Sequence, residues 1–434
     1  MPKIEPTEKA AAAMTGVGQP FEFKTEREAT DVDADAGHAD TLSFSLAVRL
    51  TLRHSPEVQS ALAKVRQAQA EARQARLLPN PVLSFAFRIP TSGGRPDVEA
   101  SVTADLLSLL LKPGQISAAD QRLRKSVADS LAVVLDVLQD VQSQYAKAQS
   151  LAAQAAIGDA RRGILQELRR LTEARLQGGE ATRLDLLTVQ SEVVDLDAEL
   201  LALRSDERQA RLTLARLIGR PSSAAMWKLD QWSPPAAPAG DEAASIKAAL
   251  ERRPELRSVV WELAALGEEM CLTRTTPFLA GGDAGISAEQ TEGEWTLGPA
   301  ATLALPVFDF GQAQRERVAA RIVEQRHELT RLERQIVQDV RVAHQQLRSS
   351  QAVLAEVENR LLPLQTDRLK QAEAAYRSGS ADVLAVRSAE QDLQRARSRQ
   401  VDLQEQLSQA NFRLARAIGG NVAGANTSST TQPE

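Results

Sequence analysis

Apolar side chains recur along this chain at alternating steps of three and four. Leu186, Val189, Val193, Leu196, Leu200, Leu203, Ala210, Leu214 and Leu217 keep that step, with Glu207 alone off the pattern. Leu131, Val134, Leu138, Val141, Tyr145, Ala148, Ala152 and Ala155 keep it before them. The second half carries Ile336, Val340, Ala343, Leu347, Leu354, Val357, Leu361 and Leu364, then Val386, Ala389, Leu393, Leu403, Leu407, Ala410 and Leu414. Such a step is the seam of a left-handed coiled coil, because it keeps one stripe of a slightly under-wound helix facing its partner. The stretch from Gln121 to Leu176 reads as one helix, over ~80 Å long at about 1.5 Å per residue. Pro363 falls inside a seam and predicts a kink or break there, since it removes an N–H and crowds the preceding turn.

Between these helical patterns lie stretches of period two. "PVLSFAFRIPT" (81–91) sets Leu83, Phe85 and Phe87 against Ser84, Ala86 and Arg88. "DVEASVTADLL" (97–107) and "EWTLGPAATLALP" (294–306) alternate in the same way, and "PFLAGGDAGISAEQ" (277–290) does so more weakly. They read as two hairpins, 81–107 and 277–306, turning near "TSGGRPD" and "EQTEG". Either a soluble antiparallel sheet with one wet face or a transmembrane barrel fits this alternation. Four strands cannot close a barrel, whose smallest members have about eight, so a membrane-spanning reading requires several chains to pool their strands.

The second half repeats the first. "HSPEVQSAL" (54–62) matches "RRPELRSVV" (252–260), "LLKPGQ" (110–115) matches "FDFGQ" (308–312), "EARLQGG" (173–179) matches "EAAYRSG" (373–379) and "ARLIG" (215–219) matches "ARAIG" (415–419). The order is kept and the offset stays between 197 and 200. Residues 42–220 and 243–420 are thus two copies of one unit: helix, β-hairpin, long helix, tip (177–182 or 377–382), helix. A Pro-rich connector, 221–242, joins them, and the ends 1–41 and 421–434 are expected to be disordered.

Composition narrows the function. Aromatic residues are only 3% of the chain, and Ala, Leu, Arg, Gln and Glu dominate, as in long helices. The formal net charge of −5 matches the first 41 residues alone, with four basic and nine acidic side chains, so no basic surplus points to nucleic acid. The single cysteine, Cys271, excludes an intrachain disulfide. The histidines are scattered and give no metal-site spacing, so neither metal nor cofactor is expected, and no cluster suggests an enzyme. No run of about 20 apolar residues indicates a transmembrane helix. The opening "MPKIEPTEKAAAAMTGVGQPFEF" has no apolar core of signal-peptide type, and no cysteine near it offers a lipidation site.

The ordered set of elements, occurring twice, resembles the TolC-like outer membrane efflux family. It is carried by "LPVFDFGQAQRERVAAR" (305–321), by the openings at Pro56–Val58 and Pro254–Leu256, by "LLPNP" (77–81) and by "YRSGSADVL" (376–384) with its counterpart in the first copy. The "LLKPGQ" turn is similar to members paired with metal-cation pumps. The resemblance implies a mainly α fold with a small β part. In it, three copies pool four strands each into a twelve-stranded outer membrane barrel, continued by a periplasmic tunnel of coiled-coil helices. It also implies a passive duct for small molecules or metal cations, served by a periplasmic adaptor and an inner-membrane pump.

Under that resemblance the two glycine-bearing breaks are hairpin tips, since glycine allows the positive φ that a chain reversal needs. Gly179, Glu180, Ala181 and Thr182, with Gly379, Ser380, Ala381 and Asp382, are then candidate adaptor contacts. Asp185, six residues past Gly179, is a candidate for the tunnel entrance, where family members often carry a carboxylate. The second copy departs from this, with Ala385 at that position and Ser388 three further on. Tyr376 is expected either to bond a neighbouring helix at the constriction or to pack in the core. The rival classes are a soluble coiled-coil scaffold without channel activity and the adaptor itself, although the latter needs a lipoyl-like or β-barrel domain and a single hairpin.

Overall fold

The computed structural model describes residues 41–88, 97–105, 107–220, 225–230, 240–279, 283–291, 294–302 and 308–420. The acidic segment before Thr41, the tail after Gly420 and most of both expected strand turns lie outside the described residues. The fold is mainly helical, with a small β part. Two compact units are present: residues 61–130 with 254–334, and residues 1–60 with 131–253 and 335–434.

Each copy begins with two helices, where the sequence pattern suggested one. The first has α1 (Phe44–His54) and α2 (Pro56–Arg76); the second has α5 (Glu242–Arg252) and α6 (Pro254–Leu279). The residue before each proline is driven out of the helical region, Ser55 to ψ 123° and Arg253 to ψ 124°. A proline disfavours helical backbone immediately before it yet is itself well suited to a first helical position, so "PE" both ends one helix and starts the next.

In the unit containing residues 61–130 and 254–334, four strands form one antiparallel sheet in the order β2 (Val82–Arg88), β3 (Asp97–Ala104), β5 (Asp283–Thr291), β6 (Glu294–Thr302). The two hairpins are therefore joined through β3 and β5. Residue pairs run in register across all four strands: Phe87 with Val98, Val98 with Gln290, Gln290 with Trp295. One face carries Leu83, Phe85, Val102, Ile286, Trp295 and Leu297 among its residues, each between 48 and 77% exposed. The opposite face is mostly polar and includes an Arg88–Glu99 ion pair at 3.1 Å. The outer strands β2 and β6 pair on one side only among the described residues.

Two strand limits differ from expectation. Pro277 lies in the last turn of α6, and β5 starts at Asp283. A proline near a helix C-terminus is tolerated because only its own N–H bond is lost, so the strand begins after the glycine pair that follows. On the other hairpin β3 ends at Ala104, and Leu107–Leu111 make a short 3₁₀ turn leading into α3 (Lys112–Gln177).

The other unit takes in α3 from Leu131 and the second hairpin's long helix from Gln335; in it α3 pairs with α4 (Arg183–Leu217) as the first helical hairpin. The second consists of α7 (Gln312–Glu356), a π turn (Val357–Leu361), α8 (Leu362–Arg377) and α9 (Val383–Ile418). The seam residues Leu186, Val193, Leu196, Leu200, Ala210, Leu214 and Leu217 are buried in the first hairpin, as are Val386, Ala389, Leu393, Leu403, Leu407, Ala410 and Leu414 in the second. Leu364 departs from its seam and is 66% exposed. The π turn before Pro363 is the reason: the Leu362 N–H bonds to Val357 O five residues back, which inserts one residue and rotates the following apolar stripe outward.

The connector contributes a strand that the sequence pattern did not announce. Thr41–Leu42 (β1) pairs in parallel with Lys228–Leu229 (β4). Tyr145 anchors this pairing: its hydroxyl donates to Leu42 O at 2.8 Å and accepts from the Asp230 N–H at 3.2 Å, while Phe44 meets the ring edge-on at 5.4 Å. Thr41, expected to be disordered, is thus part of the folded unit.

Candidate functional site

Both helical hairpins turn through the same construction. At the first tip the Gly179 N–H bonds to Leu176 O at 3.1 Å and the Glu180 N–H to Arg175 O at 2.8 Å. At the second the Gly379 N–H bonds to Tyr376 O at 3.0 Å and the Ser380 N–H to Ala375 O at 2.9 Å. This pair of bonds closes a helix when the residue between them is left-handed, and Gly179 and Gly379 hold φ at 77° and 75°. Ser378 and Ser380 hydroxyls add bonds to Ala375 O at 3.0 and 3.1 Å, which stiffens the second tip.

The helices leaving the tips start differently. Thr182 caps α4 through a reciprocal box: its hydroxyl accepts from the Asp185 N–H at 3.2 Å, and the Asp185 carboxylate accepts from the Thr182 N–H at 2.8 Å. The Thr182 hydroxyl and backbone N–H hold the Asp185 carboxyl below the usual carboxylate range. Asp382 stands at the equivalent position on α9 but makes no side-chain cap bond. Its carboxylate is engaged instead by Arg175, from the last turn of α3, so an ion pair ties the two tips together.

Gly179, Glu180, Thr182, Gly379 and Ser380 are exposed, and Ala181, Ala381 and Asp382 are partly covered. Asp185 and Ala385 are exposed on the first turns of α4 and α9, and Ser388 is exposed on the second turn of α9. Tyr376 is 51% exposed, so it does not pack into the core of this chain. Sequence reasoning missed Arg175. The available signal was a departure between copies: Asp382 replaces the capping Thr182, which leaves a carboxylate without its usual helical role.

The fold has the properties of a membrane channel component: an open sheet with one apolar and one polar face, and paired helical hairpins turned by glycines. The profile described as Outer membrane efflux protein matches residues 47–220 and 245–420, one segment for each copy of the repeat. The chain belongs to the outer membrane efflux protein family, whose members are channel proteins of the outer membrane with a periplasmic extension. The pyoverdine export outer membrane protein OpmQ of Pseudomonas aeruginosa is 27% identical over 302 residues, a match spanning 62% of this chain and 62% of that protein. Among solved structures, CusC is similar with a TM-score of 0.70 at 20% identity, over 87% of this chain and 92% of CusC. VceC of Vibrio cholerae is similar with a TM-score of 0.68 at 20% identity, over 87% of this chain and 96% of VceC. A membrane protein from Pseudomonas aeruginosa reaches a TM-score of 0.73 at 18% identity, over 87% of this chain and 90% of that one.

Proposed function

We propose that the protein is the passive channel of a tripartite efflux or secretion system. Three copies pool their four-stranded sheets into a twelve-stranded barrel and their helical hairpins into a periplasmic tunnel. Small molecules or metal cations then pass from an inner-membrane pump and its adaptor to the exterior. The duct performs no chemistry of its own; the pump supplies the energy.

The observation that supports this best is the sheet. Its apolar face is largely uncovered within the chain, and β2 and β6 each have a free edge among the described residues. Unpaired backbone donors and acceptors are not sustained in lipid, so a sheet of this kind must close with others before it can span a membrane. OpmQ's export of pyoverdine and CusC's transmembrane channel formation agree with a duct without naming this chain's cargo.

Within this reading the two tips dock the adaptor, through Gly179, Glu180, Ala181 and Thr182 and through Gly379, Ser380, Ala381 and Asp382. Asp185, Tyr376, Ala385 and Ser388 line the tunnel entrance. A purified sample in a planar bilayer should give discrete conductance steps and should migrate as an oligomer until boiled. Material that stays water-soluble and gives no conductance would overturn the reading. Sensitivity of a deletion strain to a panel of metals, dyes and antibiotics then identifies the cargo class.

A further inference from the structure

The duplication makes α1 and α5 equivalent helices, yet the two are held differently. In the first copy α1 buries Ala47, Val48, Thr51 and Leu52, and Ser43 caps it by accepting from the Leu46 N–H at 3.3 Å. In the second copy the fully buried residues of α5 are Ser245 and Ala249, and its cap residue Asp241 makes no side-chain bond. Each helix has 11 residues, too few to persist alone in water, so each depends on its docking. The Arg341–Glu242 pair that joins α7 to α5 at 3.5 Å is largely exposed on the arginine side and contributes little. With fewer buried residues and a weaker cap, α5 sits nearer the low end of local stability than α1.

The side chain that meets this region from the long helix also differs. Tyr145 of α3 corresponds to His344 of α7 at an offset of 199, as buried Val141 and Ala148 correspond to buried Val340 and Leu347. The helices α1 and α5 align at 198, because the second copy has one more residue in between, so Ala47 corresponds to Ser245. A tyrosine–alanine combination has become a histidine–serine one. His344 Nε2 lies 2.9 Å from the Ser245 hydroxyl, and both residues are buried. Burial pushes the Tyr145 phenol up to about 12, so that copy holds no proton switch near neutrality. Burial pushes the His344 imidazole down from 6.5, and Arg348, one turn along α7, pushes it the same way. Glu242 and Asp241, at the start of α5, act in the opposite sense. From α9, Arg413 reaches this stretch of α7 and bonds Gln346 at 3.3 Å.

We propose that α5 is an acid-released helix: a proton on His344 undocks residues 242–252 from α7, while α1 stays seated at the same pH. The Ser245 hydroxyl can still accept from an imidazolium, so loss of that bond is not the cause. The cause is a cation placed in a buried site beside Arg348, which opening of α5 returns to water. The sign follows. His344 takes its proton less readily docked than released, so docking is strongest above the ordinary pKa of 6.5. It weakens as pH falls below that value and stops weakening below the docked value. Arg253, just after α5, is tied to Asp339 at 2.9 Å, so the helix swings from its C-terminal end. This release concerns packing within one chain and holds whether or not the protein is a duct.

The test is hydrogen exchange by mass spectrometry on the full chain in detergent at pH 7.5 and 5.0, corrected for the intrinsic effect of pH on exchange. Protection of the α5 amides should fall at pH 5.0 by up to about 30-fold, the limit for one proton taken up at an ordinary pKa of 6.5. Amides of α1 should keep theirs. His344→Gln leaves a neutral hydrogen-bonding group and should hold α5 protected at both pH values. His344→Tyr with Ser245→Ala restores the combination of the first copy and should do the same. Equal α5 protection at both pH values in the unaltered chain overturns the proposal, as does an undiminished pH response in His344→Gln. If neither variant folds, the His344 ring is titrated by NMR in the unaltered chain with ¹³C-labelled histidine. A midpoint below 6.5 that accompanies α5 opening supports the release, and a midpoint at or above 6.5 overturns it.

Discussion

Arg175 and Asp382 stand 207 positions apart and come from different copies of the repeat, yet they join the two helical tips through one ion pair. Their side chains are 33 and 36% exposed, so a coupling of about 0.5–1 kcal/mol is reasonable for a pair still in contact with water. Arg175→Glu or Asp382→Arg should each loosen the tips and raise the open probability in single-channel recordings. The double charge swap should return it towards the original value. Equal open probability in all four proteins would show that the pair does not restrain the mouth.

The tip glycines carry a backbone demand and no packing demand. A Cβ added at Gly179 or Gly379 meets nothing within 4 Å, while φ stays near 75°. Alanine at either position should therefore cost only about 1 kcal/mol, from left-handed strain alone. Gly379→Trp adds bulk at the proposed docking surface. It should abolish export in a susceptibility assay while heat-modifiable trimer persists, and normal export by that variant would place docking elsewhere.

Gly158 and Gly163 sit five residues apart on α3 with opposite expectations. A Cβ at Gly158 would lie 2.6 Å from Leu200 Cδ2, whereas at Gly163 it has open space. Gly158→Val should destabilise by about 1–3 kcal/mol through overpacking, and adding Leu200→Ala should recover part of the loss. Gly163→Ala should stabilise by up to about 1 kcal/mol, because glycine is a poor helix former. Thermal melts of the four proteins check the ordering.

The cap at the first tip is pH-dependent with a definite sign. Asp185 is held below its ordinary 3.8 by bonds to Thr182, so it binds its proton less readily folded than unfolded. Its contribution is fully present above the unfolded pKa and disappears as pH falls through the folded one, a window below about pH 4. Thr182→Ala should move the Asp185 carboxyl back up, as read by NMR titration of its side-chain carbon. An unchanged titration would mean that the hydroxyl and its cap geometry are not what lowers it.

Much of this architecture was legible in the sequence because it rests on period. The stripe from Leu186 to Leu217 is buried apart from the half-buried Val189 and Leu203, and the alternation of Leu83, Phe85 and Phe87 places them on one face. Glycines 179 and 379 were readable because left-handed backbone leaves few alternatives. What was not legible depends on tertiary partners or on single-residue phase. Leu364 fits its heptad by counting, and only the π turn exposes it. Lys228 and Leu229 are too short a run to signal a strand without Tyr145 behind them. The Arg175–Asp382 pair has no local signature, since each residue alone reads as an ordinary charge at a helix end.

The two faces of the sheet make opposite predictions for the same charge. Phe85, 61% exposed, stands in register with Ala100, Ala288 and Leu297 on the apolar face. If that face meets lipid, Phe85→Lys places an ammonium near mid-strand in hydrocarbon, a cost of about 2–4 kcal/mol for each chain and paid three times over in a trimer. Ser101 faces the other way, paired with Ser84 and Ser287, where a water-filled lumen would tolerate the charge. Phe85→Lys should therefore cut the amount of heat-modifiable oligomer in outer membrane fractions severely. Ser101→Lys should assemble normally and shift the channel's ion selectivity towards anions. If the two variants assemble equally well, the apolar face does not meet lipid, because no other environment proposed for it distinguishes a buried ammonium from a solvated one.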